Sequence, residues 1–160
     1  KPVLYVVNVD EGTDELPEDL VRHAEGMEAT VIAISARVEA ELRELEPSEA
    51  EEMRTELGIE RSGLERLIRA AFDLLDLVSF ITADTGKEAT GRTLRRGGTA
   101  YEAAGKVHTE IQRGFVRAEV VGWKELVDAG GYAGARERGT LRTEGRDYVV
   151  RDGDVITIRV

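Results

Sequence analysis

Apolar residues follow two rhythms along this chain, and the change between them marks its organisation. Val3–Val7 and the stretch TVIAIS at 30–35 are short apolar runs with almost no alternation. Runs of that kind belong to strands covered on both faces of a parallel sheet. Between them Pro17, among acidic neighbours, opens a helix to about Glu28 with Leu20, Val21 and Ala24 inward. Strand, helix, strand in this space predicts a right-handed βαβ crossover. Three more helical stretches follow. Residues 37–46 set Val38, Leu42 and Leu45 on one stripe, and Pro47 begins a second helix that ends at Gly58. The third, from about 62 to 75, pairs Ser62 with Glu65 as a capping box. Its apolar stripe of Leu64, Leu67, Ile68, Ala71, Phe72 and Leu75 is expected to face a core.

Beyond residue 77 the period becomes two. SFITAD (79–84) and EATGRTLR (88–95) predict strands joined by a Thr85-Gly86-Lys87 turn. Thr99 and Glu102 form a second capping box, for a helix to about His108. FVRAEVVG (115–122) alternates as a strand, and WKELVDAG (123–130) reads as a short helix. The glycine-rich stretch 130–139 reads as a connection between elements. YVV (148–150) and VITIRV (155–160) read as strands around a hairpin turn at Asp152-Gly153. The order β-β-α-β with late short strands is that of a β-grasp, ubiquitin-like module. The boundary falls at 76–79, which divides the chain into domains 1–77 and 78–160.

Charge supports the division. The net charge of −10 separates into −12 over residues 1–77 and +2 over 78–160, so only the second half suits a polyanionic partner. The chain has no cysteine, which excludes disulfides, thiolate metal sites and thiol switches within it. Without a long apolar run or a signal-peptide pattern, a cytoplasmic location is the default expectation. Arginine outnumbers lysine 18 to 4, with one Asn and one Gln, a balance expected of a thermophile, though genome composition equally accounts for the arginine bias. An opening on Lys1, with a strand at once, leads us to expect a fragment or processed form of a longer protein.

The single asparagine, Asn8, directly follows the first strand, and Ser35 closes the second. Ligands of open parallel sheets bind beyond the carboxyl ends of strands. A carboxamide carries a donor beside an acceptor and can pair with a purine edge, with Ser35 and nearby backbone amides facing the same base. The same residues equally suit a loop cap and a helix cap. Asp10 and Glu11 lack a third converging group, so no metal site is expected. Nor do His23 and His108 have a nucleophile or ligand at suggestive spacing. No Gly-x-x-x-x-Gly-Lys-Ser/Thr motif occurs in the sequence, so no catalytic residue is expected in this chain.

NVDE at 8–11, followed by ISAR at 34–37, resembles the guanine-recognition motifs Asn-Lys-x-Asp and Ser-Ala-Lys of P-loop GTPases. The form ending in Glu is that of the YchF/Obg-like ATPases. SARVEAEL, GLERLIRAAFDLL, the long stretch from SFITADTG to RAEVV, and YVVRDGDVI resemble that family in the same order, over essentially the whole chain. The resemblance implies an α/β fold: the C-terminal portion of a P-loop NTPase-type parallel-sheet domain with added helices, then a β-grasp TGS domain. It implies that Asn8 and Val9 contact the base, with Ser35 and Ala36 behind it. Glu11, one methylene longer than Asp, overshoots the guanine N1–H and N2 donors, which removes guanine preference.

The implied ligand is ATP, with weaker use of GTP. Mg²⁺ would be held by residues upstream, and K⁺ is a candidate further cation. The intact protein is then a hydrolase, acting as a monomer that contacts the ribosome or its large-subunit RNA. Arg92, Arg95, Arg96 and Arg117 are the candidate RNA contacts, with Arg95 and Arg117 expected outward if Leu94 and Val116 point in. The sequence departs from the family at Arg92, where Trp is usual, and at Tyr101, where Pro is usual. The alternative is a non-catalytic RNA- or protein-binding TGS module with a helical adaptor.

Overall fold

The computed structural model describes residues 1–83 and 88–160, so the expected Thr85-Gly86-Lys87 turn lies outside the described residues. The chain forms two compact units, Lys1–Leu75 and Asp76–Val160. No described helix is long and apolar enough to cross a membrane.

In the first unit, β1 (Leu4–Asn8) and β2 (Thr30–Ile34) pair in parallel through the crossover helix α1 (Glu18–Gly26). Then come α2 (Ala36–Glu44), α3 (Pro47–Glu56) and α4 (Gly63–Leu74). Val38 and Leu42 of α2 meet Ala50 of α3 in a small core completed by Met53, Leu57 and Ile59. Ser62 caps α4 by accepting from Glu65 N–H at 3.1 Å. The α4 stripe does not bury as its period suggests. Leu67 and Ala71 are partly buried, whereas Leu64 (60 %), Ile68 (50 %) and Leu75 (51 %) stay exposed, as does half of Val6 on β1. Two strands and one packed helix edge are too little surface to cover both sides of the sheet and the whole stripe.

The second unit is a five-stranded mixed sheet in the order β4-β3-β7-β5-β6. Its strands are β3 (Leu77–Thr82), β4 (Thr90–Arg95), β5 (Arg117–Gly122), β6 (Arg142–Glu144) and β7 (Asp154–Arg159). The last strand enters the middle, parallel to β3 and antiparallel to β5. One face packs Val78, Phe80, Leu94, Val120 and Ile156 against Ala100, Ala103 and Ala104 of α5 (Ala100–Val107). The short α6 (Thr109–Arg113) follows α5. On the other face α7 (Trp123–Asp128) and α8 (Tyr132–Glu137) cover Val121 and Val155.

Three expectations are corrected here. Residues 132–137 are a helix: Gly130 and Gly131, at φ 72° and 118°, turn the chain so that Ala135 buries completely on the sheet. The Asp152-Gly153 turn is not a hairpin, because β7 pairs with β3 and β5, while Val149 bridges Thr99 and Val150 N–H bonds Gly98 O. Val116 is 64 % exposed, and the inward residues of β5 are Ala118 and Val120.

Two stability effects follow from this packing. A Cβ on Gly63 would lie 2.5 Å from Ile34 Cγ2 and 3.1 Å from Glu39 Oε1. Gly63→Ala is therefore expected to cost about 1–3 kcal/mol through overpacking, against a helix-propensity gain of about 1 kcal/mol. A urea midpoint unchanged or raised by circular dichroism would disprove that close fit. Tyr148 Oη donates to the buried Asp154 Oδ2 (2.8 Å) and accepts from Arg142 Nη2 (3.0 Å). Burial first, then the bond to Asp154, pushes its pKa from 10.0 up to about 12. The folded state thus holds the proton more tightly than the unfolded chain, so this contribution is complete below pH 10 and fades as pH rises towards about 12. Tyr148→Phe should remove that alkaline limb from the pH dependence of unfolding, a limb measurable as the difference from the wild type.

Candidate functional site

Asn8 ends β1 in register with Ile34, and Val9 N–H extends the ladder to Ile34 O (3.1 Å). This pairing sets Asn8 beside the start of α2, where its Oδ1 accepts from Ala36 N–H at 3.0 Å. An amide N–H requires an acceptor, so the bond also orients the carboxamide: Oδ1 faces the helix and Nδ2 remains free to donate. Ser35 is the N-cap of α2, its Oγ accepting from Val38 N–H at 3.4 Å. Ser35 is thus the helix cap the sequence allowed, while Asn8 caps the start of α2 and not its own loop. Neither consumes the Asn8 Nδ2 donor, which has no partner among the described residues.

Glu11 stands in the turn after β1, next to Gly12 at φ 76°. Its carboxylate is exposed and makes no hydrogen bond among the described residues. Its field is felt at Arg37, whose guanidinium is held above its ordinary pKa. The hydrogen bond and charge of Glu41 (Nε to Oε1, 3.0 Å) contribute most, then the charges of Glu11 and Asp10.

A groove of about 560 Å³ opens here, with Val9, Glu11, Ser35, Glu39, Gly63 and Arg66 in its wall; Asn8 and Ala36 are not part of that wall. Carboxylates dominate its lining, Asp10, Glu11, Asp14, Glu39 and Glu60 against Arg61 and Arg66. A wall of that sign repels phosphate and suits the neutral base end of a nucleotide. Glu39 Oε1 accepts from Gly63 N–H at 2.5 Å, which ties α2 to the start of α4. Arg66 of α4 donates to Ala33 O and, at 3.3 Å, to Asp14 Oδ1, so it ties the Glu11-bearing loop to β2. Sequence reasoning missed Glu39, Gly63 and Arg66 because their partners lie 24 to 52 residues away. Arg37 was legible only as the last letter of ISAR.

The four candidate arginines of the second unit do not share a surface. Arg92 lies on the α5 face of β4, where its Nη1 donates to Lys106 O (2.8 Å) at the end of α5 and its Nε reaches Thr82 Oγ1 (3.4 Å). Arg96 pairs with Asp76 at 3.1 Å. Arg95 and Arg117 do face the same side, yet α7 and α8 cover that side between them. They also stand at opposite ends of the sheet: Arg95 is level with Leu77, and Arg117 with Arg159 at the far end of β7. Strand spacing and rise put them on the order of 30 Å apart. The expected open basic face is thus divided.

Comparison with known proteins covers both units. The YchF-GTPase_C family model, described as "Protein of unknown function (DUF933)", matches residues 77–160. The Ribosome-binding ATPase YchF of Bacillus subtilis is 44 % identical over 165 residues, spanning 99 % of this chain and 45 % of that protein. The protein of the same name from Escherichia coli O157:H7 is 42 % identical over 159 residues, spanning 98 % and 44 %. Among solved structures, the Schizosaccharomyces pombe YchF GTPase superposes with a TM-score of 0.78 at 27 % identity, covering 99 % of this chain and 43 % of that one. A GTP binding protein from Pyrococcus horikoshii OT3 shares the fold, with a TM-score of 0.65 at 23 % identity, covering 99 % and 45 %. The chain thus spans somewhat less than half the length of the relatives it matches. On the identity across nearly its full length, and on the match over its second unit, this chain belongs to the YchF family.

Proposed function

We propose that this chain supplies the base-recognition end of a P-loop ATP hydrolase together with a β-grasp TGS module that docks on the ribosome. The observation that carries the first part is the oriented carboxamide of Asn8. With Oδ1 held by Ala36 N–H, Nδ2 is presented at the carboxyl rim of a parallel sheet, near Glu11, which makes no hydrogen bond among the described residues. A purine N7 accepts from such a donor. The second lone pair of Oδ1 is left for the adenine N6 amine. Val9, Ser35 and Ala36 form the supporting backbone, and Glu11 discriminates by length. Its carboxylate extends past the position from which an Asp would bond guanine N1–H and N2 amine.

ATP is the proposed ligand, with GTP used less well. The phosphate cradle, the Mg²⁺ ligands and any K⁺ site belong to residues outside this chain, so the hydrolysis is a property of the intact protein. The acidic groove wall supports that division, since it suits the base rather than the triphosphate.

For the second unit, the order β4-β3-β7-β5-β6 with a parallel central pair and α5 across one face supports the β-grasp assignment. The names of the bacterial relatives support ribosome docking, and with it a cytoplasmic location; a monomer is proposed as the acting form.

In the intact protein, Glu11→Asp should shift the ratio of kcat/KM for ATP over GTP towards GTP by about tenfold or more. An unchanged ratio would overturn the account of Glu11. Asn8→Ala should weaken both nucleotides and, through loss of the cap, lower stability by about 1 kcal/mol. Normal nucleotide affinity in that variant would reduce Asn8 to a capping residue. Residues 1–160 should co-sediment with ribosomes at low salt and release as salt rises; absence from the pellet at low salt would sink the docking role.

A further inference from the structure

We infer that one end of the second unit's sheet is a single-stranded RNA site, in which Trp123 stacks on a base while Arg95, Arg151 and Lys124 hold the flanking phosphates. This rests on the RNA-docking reading of that unit and gives it a location. The strand register assembles the site. Arg95 closes β4 opposite Leu77 at the start of β3. Gly153 N–H donates to Ser79 O at 2.8 Å, which sets the turn carrying Arg151 beside that end of β3. Trp123 N–H donates to Gly153 O at 3.0 Å and places the start of α7 next in the row. The row crosses three strand spacings, about 14 Å.

Its cations are not tied up in direct ion pairs. Arg95 and Arg151 are exposed and make no ion pair among the described residues. The carboxylates near it are held by other groups: Asp76 by Arg96 (3.1 Å), Asp152 by Ser79 N–H (2.7 Å), Asp154 by Tyr148 Oη and Arg151 N–H (2.8 and 2.9 Å), Glu125 by Gly122 N–H (3.2 Å) and Glu102 by Thr99 N–H (2.8 Å). Lys124 makes no ion pair among the described residues and rests its Nζ 5.5 Å from the Trp123 ring centroid. That ammonium is on a flexible stem and can move to a phosphate when a base takes its place.

Trp123 is the only tryptophan of the chain and remains 46 % exposed. Its ring is nonetheless held. A Cβ at Gly153 would fall 2.7 Å from Trp123 Cδ1, so the indole lies directly against the glycine backbone, which itself adopts φ 81°. One edge is fixed and nearly half of the residue is open, which makes the ring a preordered platform. An aromatic platform among unpaired cations is the recognition chemistry of single-stranded nucleic acid, since every base presents a π-face and every linkage a charge. The sheet's far end does not match it, because Arg159 there is tied to Glu119 at 2.7 Å.

The test uses the sole tryptophan as its own reporter. Titration of the whole chain with a twelve-nucleotide oligouridylate at low salt should quench Trp123 fluorescence and raise the oligonucleotide's anisotropy in parallel. Trp123→Ala should weaken binding about tenfold. Arg95→Gln with Arg151→Gln should weaken it further and reduce the salt slope by about two, whereas Arg117→Gln should leave it unchanged. Anisotropy without quenching, sensitive to Arg117→Gln but not to the Arg95 and Arg151 pair, would overturn this location and spare the RNA reading. No binding by either readout would remove both. Ribosome binding that depends on Trp123 without any quenching by oligonucleotide would overturn the RNA assignment in favour of a ribosomal protein.

Discussion

Parallel pairing of β1 with β2 is the constraint on which the first unit depends. Register brings Asn8 level with Ile34, so the strand ends where α2 begins. A side chain from one strand can then satisfy the first amide of the helix that follows the other, and the Asn8 Oδ1 bond to Ala36 N–H does so. That one bond closes a helix terminus and at the same time points a donor outward. One end of the carboxamide caps the helix, and the other is left for the base contact proposed above. Glu39 and Arg66 then fix the neighbouring groove from α2 and α4.

The second unit depends on a different pairing, the insertion of β7 between β3 and β5. Burial of Ile156 on one face and Val155 on the other binds both helical layers to the central strand. The turn before β7 carries Asp152 and Gly153, whose bonds to Ser79 and Trp123 fix that sheet end. The buried Asp154, held by Tyr148 and by Arg151 N–H, anchors the same turn from below.

Helices were largely legible from local signals. Thr99 and Glu102, Ser62 and Glu65, and Pro47 mark helix starts that the structure contains. α8 was not legible, because it is short and Gly134 lowers its helix propensity, which the contacts of Ala135 and Tyr132 with the sheet offset. The exposed half of the α4 stripe is an opposite case. Its period is clear, yet period alone does not say how much partner surface is available. In the site, Asn8, Glu11 and Ser35 were readable as neighbours of strand ends, whereas Arg66 and Gly63 were not.

By itself the sequence determined most of the helices and strands, the acidic and basic halves, and the Asn-x-x-Glu and Ser-Ala-Arg motifs. These rest on periodicity, capping and turn chemistry, all local interactions within a few residues. Tertiary structure decided which way each polar group faces. Arg92 turned towards α5, Arg95 and Arg117 went to opposite ends, and Asn8 gave its oxygen to Ala36. Strand register and helix docking are settled by contacts between residues far apart in the chain, and a side chain's direction follows from that register.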